Sequence, residues 1–248
     1  MHYRDEGVVL RTIRLGEADR IVTIVTPGHG KVRAVAKGVR RTKSRFGARL
    51  EPLSHVALLC WRGRDLDVVT GVEVIDSFRA VRDDLGRLQV ATTMLEIVDQ
   101  VAQERHGAPA VFTLLVRALR TLERDGAPLV LGAFCLKLLA IEGVGPVVDA
   151  CASCGRDGPL VAFDAGEGGF LCATCRRGRQ VSPPVVELAR QVLSGGLARA
   201  LSTGATPAVA ALEDLAIGAV EHHLDRRLRS VRHPIGAGGR PEPAASGR

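Results

Sequence analysis

Between Gly7 and Ile75 the apolar positions come in short runs rich in β-branched residues, separated by turn formers. Gly7–Leu15, Arg20–Thr26, Lys31–Lys37, Ser54–Trp61 and Leu66–Ile75 each read as a strand. Pro27-Gly28-His29-Gly30 and Gly63-Arg64-Asp65 supply turns between them. In Lys31–Lys37 a period of two sets the cations Lys31, Arg33 and Lys37 on one face and the valines on the other. Five strands joined by short turns predict a small closed barrel, because closure removes unprotected sheet edges.

From Ser77 the period lengthens. Leu85, Leu88, Ala91, Leu95, Val98 and Ala102 recur every three or four residues, as on an amphipathic helix. Val111–Leu122 repeats the pattern up to a stop at Asp125-Gly126, and Leu129–Ile141 is a third, more apolar helix. Helical patterns resume at Pro183–Leu193, with Ser182 as N-cap and Pro183 at the first turn, and again over Pro207–Arg229. A Cys- and Gly-rich insert at 149–180 interrupts them. The chain thus divides into a barrel domain (1–78), a helical domain (79–235) carrying the insert, and a tail (236–248) of Gly, Pro, Ala and Ser expected to be disordered. The fold class is α+β.

Of the 248 residues, 46% are apolar and 25% charged, as in a globular chain with a sizeable core. Apolar runs stop well short of the roughly 18 residues a membrane span needs, and Met1–Glu6 shows no apolar signal region. A cytoplasmic, nucleoid-associated protein is expected. The net charge of +7 calls for an anionic partner, nucleic acid first. Where the cations lie matters more than their sum. Lys31, Arg33, Lys37, Arg40, Arg41, Lys43, Arg45 and Arg49 crowd one strand and the loop after it, with no acidic residue among them. All of these except Arg49 are the candidate DNA contacts. Gly38 either lets a backbone approach closely or simply makes a turn. Phe46 and Trp61 are the nearest rings that could stack on bases, although each suits a core equally well.

The insert carries Cys151-Ala-Ser-Cys154 and Cys172-Ala-Thr-Cys175, two C-x2-C knuckles at zinc-site spacing. Two tight turns aim four thiolates at one point, and four thiolates leave no open position, so a single structural Zn2+ is expected. Reduced thiols without metal and disulfides are the competing readings; a cytosolic chain disfavours the latter. The insert is glycine-rich and poor in large apolar residues, so metal is expected to supply its folding energy. Arg156, Arg176, Arg177 and Arg179 stand near enough in sequence to offset the negative site. Cys60 and Cys135 lie in apolar elements and read as small buried hydrophobes.

Catalytic signatures are missing: there is no P-loop, G-x-S-x-G, H-E-x-x-H or deaminase motif. Asp83-Asp84 reads as a helix start, and adjacent His222-His223 cannot easily face one ion. The protein is not expected to be an enzyme.

Gly7-Val8-Val9-Leu10-Arg11, Gly16-Glu17-Ala18-Asp19-Arg20-Ile21-Val22, Thr26-Pro27-Gly28-His29-Gly30-Lys31 and Ala36-Lys37-Gly38-Val39-Arg40-Arg41 resemble the amino-terminal signature of the bacterial RecO recombination mediators. The four-cysteine insert and Glu221-His222-His223-Leu224 fit the same family, so the resemblance spans nearly the whole chain. It implies an OB-fold (a five-stranded oligonucleotide-binding barrel), a helical domain and a zinc motif. It further implies annealing of complementary strands, action with RecR in loading RecA, and docking of the acidic tail of single-strand-binding protein. Few rings and many cations agree with annealing, since such a surface neutralises phosphates and leaves bases free to pair. The tail would need a groove between helices, and Arg117, Arg120 and Lys137 flank suitable apolar stripes. A zinc-containing RNA-binding or translation-associated factor is the alternative, separable by competition between RNA and single-stranded DNA.

Overall fold

The computed structural model describes residues 1–39, 44 and 46–231. Five strands, β1 (His2–Leu15), β2 (Asp19–Thr26), β3 (Gly30–Ala36), β4 (His55–Trp61) and β5 (Asp67–Asp76), close into a barrel in the order β1-β2-β3-β5-β4. All neighbours are antiparallel except β3 and β5, which run parallel. Alternate side chains fill the interior: Val9, Val22, Ile24, Val32, Ala34, Val56, Leu58, Cys60 and Val69 form one core. On β3 the alternation is strict, with Val32, Ala34 and Ala36 buried. Val35 therefore lies on the outer face with Lys31 and Arg33, so the valines are split between the faces and not gathered opposite the cations.

The described residues form seven α-helices: α1 (Arg79–Asp83), α2 (Leu85–Val101), α3 (Pro109–Arg124), α4 (Val130–Ile141), α5 (Pro183–Leu193), α6 (Leu197–Leu201) and α7 (Pro207–His223). Helix α4 is buried on nearly all faces, including Cys135. Asp84 is the N-cap of α2, its carboxylate accepting from the Arg87 N–H at 2.9 Å. Ser182 occupies the N-cap position of α5, but its side chain makes no capping bond. The short α1, which periodicity does not predict, is capped from a distance: the Glu123 carboxylate accepts from the N–H groups of Ala80 and Val81 at 3.0 and 2.9 Å. Helix α7 ends at His223, six residues before the predicted Arg229. The buried Glu221 carboxylate stops it by accepting from the Leu228 N–H at 2.8 Å and the Arg227 guanidinium at 2.9 Å, folding the chain back.

The barrel and the helices share a seam. Val8, Leu10, Val25 and Leu53 on the barrel exterior join the helical core. The 103–105 segment extends the β3 edge, with the Lys31 N–H donating to the Gln103 carbonyl at 2.9 Å and the Arg105 N–H to the Lys31 carbonyl at 3.3 Å. Gly30 makes this approach possible. It sits at φ +64°, and a Cβ there would lie 1.8 Å from the His106 carbonyl oxygen. Gly30→Ala should therefore cost more than about 2 kcal/mol from backbone strain and seam displacement. Urea unfolding of the variant checks this; a change under about 0.5 kcal/mol, ordinary for a surface site, would contradict it.

Candidate metal centre and nucleic-acid face

The insert contains three strands, β6 (Leu160–Asp164), β7 (Gly169–Cys172) and β8 (Arg179–Gln180), in the order β7-β6-β8. It is less independent than its composition suggests. Leu160, Phe163, Phe170 and Leu171 are buried in the helical core, and the rings of Phe163 and Phe170 meet edge to face at 5.1 Å. Phe163 and Phe170 root the hairpin near its turn, and at its open end Leu160 pairs with Cys172, so the cysteines gather beside the core, with Cys151 buried in it. Gly155 and Gly178 follow the two knuckles at φ +70° and +69°. At Gly178 a Cβ would strike the Phe163 carbonyl at 2.4 Å, so only glycine closes the second turn.

One ligand atom from each of Cys151, Cys154, Cys172 and Cys175 lies within 4.8 Å of every other, and the Cys154 and Cys172 sulfurs are 3.9 Å apart. A tetrahedron with bonds of about 2.3 Å has edges of about 3.8 Å, so the four sulfurs need only a small contraction around a metal ion. Backbone N–H groups support the charge. The Cys172 N–H points at the Cys151 sulfur at 3.4 Å, and such donors draw the Cys151 thiol down to about 6. The N–H of Cys175 likewise lowers Cys172. Cys175, facing the other three sulfurs, is instead pushed up to about 12. Four sulfurs this close cannot all ionise without a cation among them. The four cysteines are thus arranged to bind a metal ion. Of the nearby arginines, Arg177 pairs with Glu167 and Arg179 with Asp214, the latter at 3.3 Å, while Arg156 and Arg176 are exposed.

The structure sorts the candidate DNA contacts. Lys31 and Arg33 face the seam: the Lys31 ammonium donates to the Asp99 carbonyl at 2.6 Å, and Arg33 stands 3.8 Å from the Glu104 carboxylate. Lys37 is exposed just past the end of β3. Gly38 is a turn residue at φ +66°, its N–H donating to the Asp19 carboxylate at 2.7 Å. Arg40, Arg41, Lys43 and Arg45 lie outside the described residues. Phe46 is buried in the barrel core, which removes it as a stacking platform. Trp61 is exposed, with its ring against the His2 ring at 4.7 Å. Cys60 is buried, and burial raises its thiol to about 11.

The family resemblance implied a groove between helices for a peptide tail and named no lining residues. Helices α3, α4 and α6 enclose a hollow of about 580 Å³ walled by Leu114, Val130, Phe134, Ile141, Leu197 and Leu201. Arg117 and Lys137 stand on its two long walls, and no lining residue is acidic. Arg120 lies off the groove; burial first, and Arg120 after it, hold the His55 imidazole of β4 below its ordinary value. His222 and His223 are exposed and line a separate hollow of about 390 Å³ with Leu139, Val144 and Phe163. The cysteine quartet is the one cluster of metal-ligating side chains among the described residues.

A closed five-stranded barrel, a helical body and a four-cysteine knuckle together define an α+β protein whose barrel is of the OB-fold class. The Recombination protein O N-terminal family matches residues 1–78, and its C-terminal counterpart matches 82–232. The chain is also 45% identical over 245 residues to the DNA repair protein RecO of Streptomyces coelicolor, covering 93% of this chain and 98% of that protein. The chain belongs to the RecO family, which places it in DNA repair and recombination. No described helix is long and apolar enough to cross a membrane.

Proposed function

We propose that this chain is a non-catalytic recombination mediator. It anneals complementary single strands and, with RecR, helps to load RecA onto DNA coated by single-strand-binding protein. Its metal is one structural Zn2+, held by Cys151, Cys154, Cys172 and Cys175. The observation that carries the reading is the α3–α4–α6 groove. Neither Arg117 nor Lys137 has an ion-pair partner among the described residues, and Lys137 is half-buried on an otherwise apolar helix. Cations left without carboxylates beside an apolar trough suit a peptide that ends in an acidic, apolar tail. The basic run that follows β3 in the sequence supplies the DNA contact, with Lys37, Arg40, Arg41, Lys43 and Arg45 as its main cations and Lys31 and Arg33 at its edge.

A strand-annealing assay with and without single-strand-binding protein tests this. The wild-type protein should anneal both naked and coated strands. Arg117→Glu with Lys137→Glu should lower affinity for the tail about tenfold to a hundredfold, as expected when charge-assisted hydrogen bonds are removed. That variant should still anneal naked strands. Equal annealing of coated strands by both proteins, or equal binding of a tail-less single-strand-binding protein, would remove the groove from the mechanism. Preference for RNA in competition would favour the translation-factor alternative.

A further inference from the structure

The outward residues of β1, β4 and β5 form rows that follow the strand register. His2 stands opposite Trp61 and then Val68, Arg4 opposite Leu59 and then Gly71, and Glu6 opposite Ala57 and then Glu73. The next row, Val8 with His55 and Asp76, runs into the seam. There Val8 joins the helical core and the His55 ring meets Phe112 of α3 at 5.7 Å. The three rows before it stay open. Trp61 is 46% exposed, and His2, Arg4, Glu6 and Glu73 are exposed beside it. Ala57, Leu59 and Val68 are partly exposed and belong to neither core. A sheet face toward water is ordinarily polar. Here an apolar strip of Trp61, Leu59 and Ala57 runs down the middle strand. A Cβ at Gly71 would stand 3.3 Å from the Leu59 Cβ, so the glycine leaves that flank of Leu59 bare.

Charge divides this wall lengthwise. Arg4 and, just past the end of β4, Arg62 stand at one end, and Glu6 and Glu73 at the other. Arg4, Arg62 and Glu73 have no ion-pair partner among the described residues, and Glu6 lies 3.4 Å from the His55 imidazole. A wall with a cationic end and an acidic end is complementary to itself when one copy is turned end over end. That two-fold sets the cationic end of each wall on the acidic end of the other. It also seats the large Trp61 ring over the small Ala57 of the other copy, each contact being made twice. The alternative two-fold, along the strands, would set Glu6 against Glu73 and is disfavoured by like charge.

We infer that the β1–β4–β5 wall is a contact between two copies of this chain, with Trp61 as its anchor. Three strands by three rows measure about 10 by 14 Å between backbones at ordinary spacings. With side chains added, that stays under the roughly 800 Å² per partner of a stable complex, so the pair forms and separates readily. Two copies joined in this way carry two DNA strands in one complex, which raises the concentration of each strand near the other. This consequence rests on the DNA-annealing reading; the contact itself does not.

Trp61 is the only tryptophan in the chain, so intrinsic tryptophan emission reports on this wall alone. The test follows the full chain, without DNA, from about 1 to about 300 μM, a range suited to a small transient interface. Sedimentation velocity should show monomer passing to dimer. Over the same range the Trp61 emission should shift to the blue and become less open to acrylamide quenching. Trp61→Ala should weaken self-association about thirtyfold, as for a central aromatic anchor. Arg62→Glu and Glu73→Arg should each weaken it about tenfold. An equimolar mixture of those two should dimerise again, because each copy then carries the charge that the other lacks. Circular dichroism verifies the fold of each variant, and recovery in the mixture cannot come from misfolded chains. A wild-type chain that stays monomeric at the highest concentration would overturn the inference. So would a dimer that keeps Trp61 open to quencher, or a mixture no more associated than its parts. Emission that responds to a thymidine oligomer with no change in oligomeric state would assign the wall to bases and overturn it too. A wild-type chain that dimerises through Trp61 yet anneals no strands would fault the annealing reading and leave the contact standing.

Discussion

Removing the metal with a chelator, or replacing Cys154 with Ser, is expected to release the two knuckles of the insert and leave the barrel intact. The four sulfurs lie within 4.8 Å of one another, and two of the thiols, Cys151 and Cys172, are already lowered by backbone N–H donors. In small zinc peptides metal binding is worth about 10–16 kcal/mol and is the whole folding energy. Here it is a part, because Phe163 and Phe170 bury the turn end of the hairpin in the helical core by apolar contacts that need no metal. A metal present at about a thousand times its Kd would contribute about 4 kcal/mol. For a domain of this size that is roughly 8–16 °C in Tm. Hydrogen exchange should show protection lost over the two knuckles, 151–156 and 172–178, and kept over Phe163 and Phe170 and across β1–β5. Native reduced protein containing no zinc on elemental analysis would contradict the assignment, and loss of protection in the barrel would contradict the division of labour.

Reversing Arg40 and Arg41 to Glu is expected to weaken binding to all DNA sequences alike. Removing one cation from a phosphate lowers the slope of log K against log salt by about 0.7 on single strands, so removing two should flatten it by about 1.4. Annealing should fall with affinity. Lys31 makes the complementary case. Its ammonium is tied to the Asp99 carbonyl at 2.6 Å, so Lys31→Ala should loosen the seam and alter the salt slope less. A salt titration of each variant, with circular dichroism as the folding control, separates the two. An unchanged slope in a folded Arg40→Glu, Arg41→Glu protein would move the DNA site, and exposed Arg156 and Arg176 beside the cysteine knuckles become the next candidates.

The parts of this protein that depend on near neighbours could be read from its sequence. Alternation over a few residues gave the five barrel strands, and three-to-four-residue spacing gave the five longer helices. The C-x2-C spacing gave the metal ligands, since each pair is brought together by its own turn. Helix α1 escaped because its cap is Glu123, more than forty residues away in the chain. The end of α7 escaped because nothing local marks Glu221 as a buried acceptor. Phe46 could have faced either a base or a core, and barrel closure buried it.

The function-bearing surfaces divide in the same way. That a basic run follows β3, and that Arg117 and Lys137 sit beside apolar stripes, is written in the order of the residues. Which charges are left unpaired is not, and came from the packing of distant elements. That packing tied Lys31 and Arg33 into the seam, set Arg120 off the groove, and left Lys137 without an ion-pair partner among the described residues. It also fixed which end of the outer barrel wall the helices cover, and so which rows of it remain open. Periodicity is a property of adjacent residues, whereas the availability of a charge or an apolar face depends on what a distant element brings against it.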